Sequence, residues 1–183
     1  EPVQCLARVH DRGGASVSAK KQPAAPDLGT LEGLLYREAD CLDRADLDAW
    51  FELYTPDATY WMPGPPDQQS PETEISSFYD DRLLMEIRRR NFGDEWAASM
   101  EYDVRCSHLL GNIRYTDEGR PADAWRVLSN FQAAIYYRGQ TTFYAGRYAH
   151  DLVLTADGLR IRHKRVDLIN SDSAELGSIV IYL

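Results

Sequence analysis

Apolar residues recur at helical spacing in the first half of the chain and crowd into strand-like runs after residue 100. Leu31, Leu34, Leu35, Ala39 and Leu42 fall three or four apart, which makes one apolar helix face. Thr30 stands just ahead of them, with Glu32 and Glu38 following, and is the candidate N-cap. Asp46 caps a shorter helix carrying Ala49, Trp50, Leu53 and Tyr54. Pro56 stops it, because the residue before a proline is pushed out of the helical region. Asp57 to Met62 reads as a short strand closed by Pro63-Gly-Pro-Pro66. A third helix is expected over 74–91, with Ile75, Phe78, Leu83, Leu84 and Ile87 facing inward. Four long strands follow, at about 101–116, 123–138, 141–155 and 159–170. Turn signals separate them at Asp117-Glu-Gly119, Arg138-Gly139 and Asp157-Gly158. A last strand is expected over Ser178 to Leu183. Three helices followed by an antiparallel meander predict an α+β domain with its helices on one face of the sheet.

The 183 residues suit a single domain, placed at 29–183. Residues 1–28 are rich in Gly, Ala, Ser, Lys and Pro and lack a sustained period, so they read as a flexible or surface-draped arm. Such an arm is either a plain terminal tail or a strap over a neighbouring subunit. A net charge of -9 argues against nucleic acid as a partner, since such domains carry a basic face. Arg88-Arg89-Arg90 and the run Arg160 to Arg165 are basic clusters, read either as solvated faces or as ion-pairing sites for a partner subunit. Cys5, Cys41 and Cys106 share no short spacing, which supports neither a disulfide framework nor a zinc ribbon, and a reducing cytoplasm is expected. No apolar run approaches the roughly 20 residues needed to cross a bilayer, so no membrane is expected, and no secretory pattern is visible.

Polar residues are threaded through the predicted strands: Trp96, Arg105-Cys-Ser-His108, Gly111-Asn112, Ser129-Asn130-Phe131, Arg138, Gly146-Arg147 and Asp151-Leu152. Polar residues along a curved sheet line either a cavity or a subunit interface. Ser129 and Asn130, if buried, need hydrogen-bond partners, and a cross-strand network with Asn112 would fix strand register. His150 and His163 lie on adjacent strands and could face each other, with Asp151 or Asp167 near, as a mononuclear iron centre requires. Neighbours on a strand point to opposite faces, however, so His150 and Asp151 should not converge. Asp80-Asp81-Arg82 and Arg88 to Arg90 read as helix-surface ion pairs. There is no Gly-rich phosphate loop, no Gly-x-Ser-x-Gly and no Cys/His nucleophile pair.

The order of these polar groups resembles the small (beta) subunit of the Rieske-type aromatic-ring-hydroxylating dioxygenases. The N-terminal half fits as well, with an acidic helix ahead of Trp50, then Asp57-Ala-Thr-Tyr60-Trp-Met-Pro63, then Phe78-Tyr-Asp80-Asp81-Arg82-Leu83. The resemblance spans residues 31 to 183. It implies the cone-shaped fold of ketosteroid isomerase and scytalone dehydratase, a curved antiparallel sheet wrapped around three N-terminal helices. It also implies a chain without catalytic residues or cofactors of its own. Trp96, Arg105, His108, Asn112, Asn130, Arg138 and Arg147 would form a structural or interface network. The expected partner is an alpha subunit holding a Rieske [2Fe-2S] cluster and a mononuclear non-haem iron, assembled as alpha3beta3. Electrons from NADH would reach it through a reductase, often via a ferredoxin, and the product is a cis-dihydrodiol. Cys106-Ser-His108 is half of a Rieske ligand set, but Cys5 and Cys41 are followed three residues later by Arg8 and Arg44, so the second half is missing. The alternative is a free-standing dehydratase or isomerase of the same fold using Tyr54, Asp57 and His108 as acid/base groups, with Tyr60 nearby. A third class is a binding module that uses the cone as a pocket.

Overall fold

The computed structural model describes residues 26–92, 104–173, 179 and 181–183. The expected arm up to residue 25 and Trp96 lie outside the described residues. Helix α1 runs Leu28–Asp43 and buries Leu31, Leu34, Leu35 and Leu42, the stripe read from the sequence. Its N-cap is Asp27, not Thr30. The Asp27 carboxylate accepts the Thr30 backbone N–H at 3.1 Å and the Thr30 hydroxyl at 2.7 Å. Thr30 therefore sits inside the first turn, and the stronger acceptor three residues earlier starts the helix. Helix α2, Leu47–Phe51, is capped by Asp46, whose side chain accepts from Ala49 N.

The chain turns into strand β1, Tyr54–Met62, earlier than expected. Pro56 lies within it, where the pairing with the later strand Gly158–Leu168 shifts register between Tyr54 and Thr59. A proline can sit there because that stretch offers no ladder N–H to lose. The expected helix over 74–91 is helical only in its second half. Phe78–Asp81 forms β2 against β1, and only Arg82–Phe92 is helical, as α3. Asp81 accepts the Leu84 N–H at 2.9 Å, which starts α3 there. Ile75, Leu83, Leu84 and Ile87 are exposed rather than inward, and Met85 is the buried residue of α3.

The meander follows as β3 (Arg105–Thr116), β4 (Trp125–Tyr137), β5 (Gln140–Thr155) and β6 (Gly158–Leu168). Sheet order is β2-β1-β6-β5-β4-β3. Every pairing is antiparallel except β1 with β6, which is parallel. Arg138 and Gly139 both have positive φ (50° and 79°), the geometry of a tight hairpin turn between β4 and β5. Gly146 is required by close approach, since a Cβ there would lie 2.1 Å from the Asp167 carbonyl oxygen. The described residues of the expected last strand form no strand. Ile181, Tyr182 and Leu183 instead plug the core, with Tyr182 stacked on Trp50 at 4.4 Å and Leu183 N–H donating to Tyr60 Oη at 3.1 Å. The result is the α+β cone expected from the sequence, a curved open sheet closing around the helices. No helix among the described residues is long and apolar enough to cross a membrane.

Candidate functional site

Alternation along the strands sends one set of side chains toward α1 and another away from it. The inward set contains Tyr148 and His150 on β5 and Lys164 on β6, and all three are buried. They meet Glu38, which shares the α1 face of Leu31, Leu34, Leu35 and Leu42 and is 2% exposed. Glu38 Oε1 accepts from Lys164 Nζ at 2.9 Å and from Tyr54 Oη at 2.5 Å. Glu38 Oε2 lies 2.9 Å from His150 Nε2. One carboxylate thus ties together α1, β1, β5 and β6. Burial alone would raise the Glu38 pKa, but the Lys164 ammonium and His150 outweigh it and hold the group well below the usual carboxylate range. An ionised Glu38 needs donors, so His150 places its proton on Nε2. Its Nδ1 has no partner among the described residues. The Lys164 ammonium also sits 4.1 Å from the centroid of the Tyr148 ring, which is stacked on Phe131. Burial pushes the Tyr54 and Tyr148 phenols well above their usual pKa, so both stay neutral.

A second carboxylate–imidazole contact lies farther along α1. Asp43 Oδ1 is 2.6 Å from His108 Nδ1, and Asp43 Oδ2 accepts the His108 backbone N–H at 3.1 Å. The His108 side chain is 1% exposed, its Nε2 has no partner among the described residues, and burial pulls its pKa down against the pull of Asp43. Cys106, one inward position away, has its thiol pushed up to about 11 by burial and by Asp43, so it is neither a ready nucleophile nor a ready ligand.

The structure separates the residues singled out in the sequence. Tyr54 is bonded to Glu38, His108 is bonded to Asp43, and Asp57 is exposed on the irregular stretch of β1, so the three are not brought to one centre. His150 pairs in register with Lys164, while His163 pairs with Asp151 and contacts Thr59 Oγ1 at 2.7 Å, so the two imidazoles are on opposite faces. Among the described residues no group of three or more His, Cys, Asp or Glu is arranged to hold a metal ion. Of the described members of the expected polar network, only His108 faces inward. Arg105, Asn112, Asn130, Arg138 and Arg147 are all exposed. Arg105 lies over the Tyr136 ring at 4.3 Å, Asn112 bulges with φ 53°, and Asn130 stands opposite Arg147. Ser129 points inward, away from Asn130 and Asn112, so the three form no network. The outer face also exposes Leu109 (68%), Phe143 (76%) and Ile169 (77%). A shallow cleft of about 430 Å³ runs there among Leu109, Asn112, Asn130, Gln132, Ala145 and Ile169.

Sequence reasoning missed Glu38 and Lys164. Lys164 sat in a basic run read either as a solvated face or as ion-pairing sites for a partner subunit, whereas its neighbours pair within the chain, Arg162 with Asp123 and Arg165 with Asp167. The signal was period two, since Lys164 alternates with the buried Val166 and Leu168. For Glu38 it was helical spacing within the leucine stripe.

The family model for ring hydroxylating beta subunits matches residues 37–173. The chain is 32% identical over 126 residues to the benzoate 1,2-dioxygenase subunit beta of Acinetobacter baylyi, a match covering 66% of this chain and 75% of that one. It is 35% identical over 93 residues to the toluate 1,2-dioxygenase subunit beta of Pseudomonas putida, covering 48% of this chain and 57% of the relative. Among solved structures, the beta subunit of the benzoate 1,2-dioxygenase from Burkholderia mallei superposes with a TM-score of 0.67 at 28% identity, over 85% of this chain and 99% of that one. A putative scytalone dehydratase from Novosphingobium aromaticivorans, at 14% identity, shares the fold with a TM-score of 0.58 over 77% of this chain and 83% of that one.

Proposed function

This chain belongs to the family of ring hydroxylating beta subunits, and from that premise we propose that it is the small subunit of a dioxygenase acting on a benzoate-type aromatic carboxylate. The match along residues 37–173 carries the reading. The relatives' names supply the substrate class, benzoate and toluate. Oxygenation belongs to a separate alpha subunit, which carries a Rieske [2Fe-2S] cluster and a mononuclear iron and receives electrons from NADH through a reductase, with or without a ferredoxin. The assembly is an alpha3beta3 hexamer in the cytoplasm. The role of this chain is to build and stabilise that assembly, without a catalytic residue of its own. The interior supports this division of labour. Lys164, His150 and Tyr54 all hydrogen-bond to Glu38, and Asp43 holds His108, so these groups brace α1 against the sheet. The outer face, with Leu109, Phe143 and Ile169 exposed among Arg105, Asn130 and Arg147, has the mixture of apolar and arginine surface that subunit contacts use.

Expression of the chain alone and together with its large subunit tests the proposal. The expected result is an iron-free chain alone and, on co-expression, an iron-containing hetero-hexamer that consumes oxygen with benzoate or toluate. A chain that stays a homo-oligomer and never joins the large subunit would overturn it.

A further inference from the structure

We propose that the Glu38 junction is an acid-operated latch, in which a proton taken up at His150 releases α1 from β5 and β6. This inference rests on the interior of the chain and stands whether or not the dioxygenase reading does.

Glu38 carries one negative charge, and Lys164 at 2.9 Å already balances it. His150 is 0% exposed and donates from Nε2 to the same carboxylate, while its Nδ1 faces no partner among the described residues. A proton on Nδ1 would therefore do two unfavourable things. It would create a buried N–H donor with no acceptor. It would also leave a second positive charge beside Lys164 with only one carboxylate between them. The groups around His150 offer no relief. Tyr148 from β5 and Tyr54 and Tyr60 from β1 are buried phenols that stay neutral. Asp151, the next residue on β5, points to the other face, where Arg126 takes both its oxygens at 2.7 Å. Asp43 from α1 is engaged by His108 of β3. Strand β4 offers Val127 opposite His150, an uncharged neighbour.

Burial, helped by Lys164, holds the His150 imidazole below its usual range although Glu38 pulls the other way. The sign follows. Below about pH 6.5 the unfolded or detached form takes up a proton that the closed junction refuses, so acid drives opening. Opening of α1 exposes Glu38 together with the leucine stripe it shares, which converts a local proton uptake into loss of a whole packing layer.

The test uses the full chain with isotope-labelled histidine, followed by NMR from about pH 7.5 to about pH 4.5. Hydrogen exchange of the α1 amides, corrected for intrinsic rates, is measured in parallel. His150 is expected to stay neutral until α1 loses protection. The protection of α1 should fall with pH more steeply in the wild type than in His150→Phe, by about one proton, or tenfold per pH unit. Equal slopes in the two proteins overturn the latch. If His150→Phe does not fold, the NMR arm decides alone: a His150 signal that titrates at or above about pH 6.5 with α1 still protected overturns it.

Discussion

The two faces of the sheet handle polar residues in opposite ways. On the inner face the carboxylates are each held by cationic or imidazole partners: Glu38 by Lys164 and His150, with Tyr54 added, and Asp43 by His108. On the outer face arginines and asparagines are plentiful; some arginines pair with carboxylates, as Arg126 with Asp151 and Arg162 with Asp123, and Arg105 lies exposed over the half-buried Tyr136 ring, on the face that also exposes Leu109, Phe143 and Ile169. An inner charge without its partner is costly because water cannot replace the partner. An outer charge without its partner is simply hydrated. The inner face therefore governs whether the chain folds, and the proposed function gives the outer face the subunit contacts.

The sharpest way to break this contrast is Lys164→Met, which leaves Glu38 buried and uncompensated. Urea unfolding should show a loss of about 3–5 kcal/mol. Adding Glu38→Gln to it should recover part of that loss, because the double variant buries no charge; additive losses would contradict the pairing. His108→Ala removes the tie from β3 to α1, though Asp43 is partly exposed and can be hydrated, so the expected cost is smaller, about 1–3 kcal/mol. Metal content per assembled complex should not change with it. Acidification probes the same face without mutation. His108 and His150 both have pKa values lowered chiefly by burial, so the stability they confer is complete above about pH 6.5 and declines as pH falls through the window below it. Glu38, whose pKa is also lowered, adds a further loss below about pH 4.5. Unfolding midpoints that rise on acidification over that window would refute the assignment. On the outer face Phe143→Ser or Arg147→Ala should change chain stability by no more than about 0.5 kcal/mol. Analytical ultracentrifugation should nonetheless show weaker assembly with the large subunit for Phe143→Ser.

The fold was far more legible than the site. Strands β3 to β6 came through within a few residues because alternation and turn residues such as Arg138-Gly139 are local signals. The 74–91 segment was misread because Leu83, Leu84 and Ile87 fall at helical spacing yet face outward, while Phe78–Asp81 becomes a strand only by pairing with β1. Local spacing cannot distinguish an apolar stripe that meets the core from one that does not. The polar ladder was found but assigned as a single network, although its members fall on two faces.

Pattern and composition along the chain determined the order of elements, the leucine stripe of α1, the hairpin turns, and a resemblance specific enough to indicate the family. These depend on neighbours a few residues apart or on ordered motifs. Only the tertiary structure decided that Glu38 and Lys164, 126 residues apart, share a hydrogen bond, that Asp43 rather than Asp57 serves His108, and that Tyr182 rather than another strand closes the core. Those outcomes depend on which side chains the sheet's curvature brings against α1. A carboxylate or an ammonium looks the same in sequence whether water or a single buried partner satisfies it.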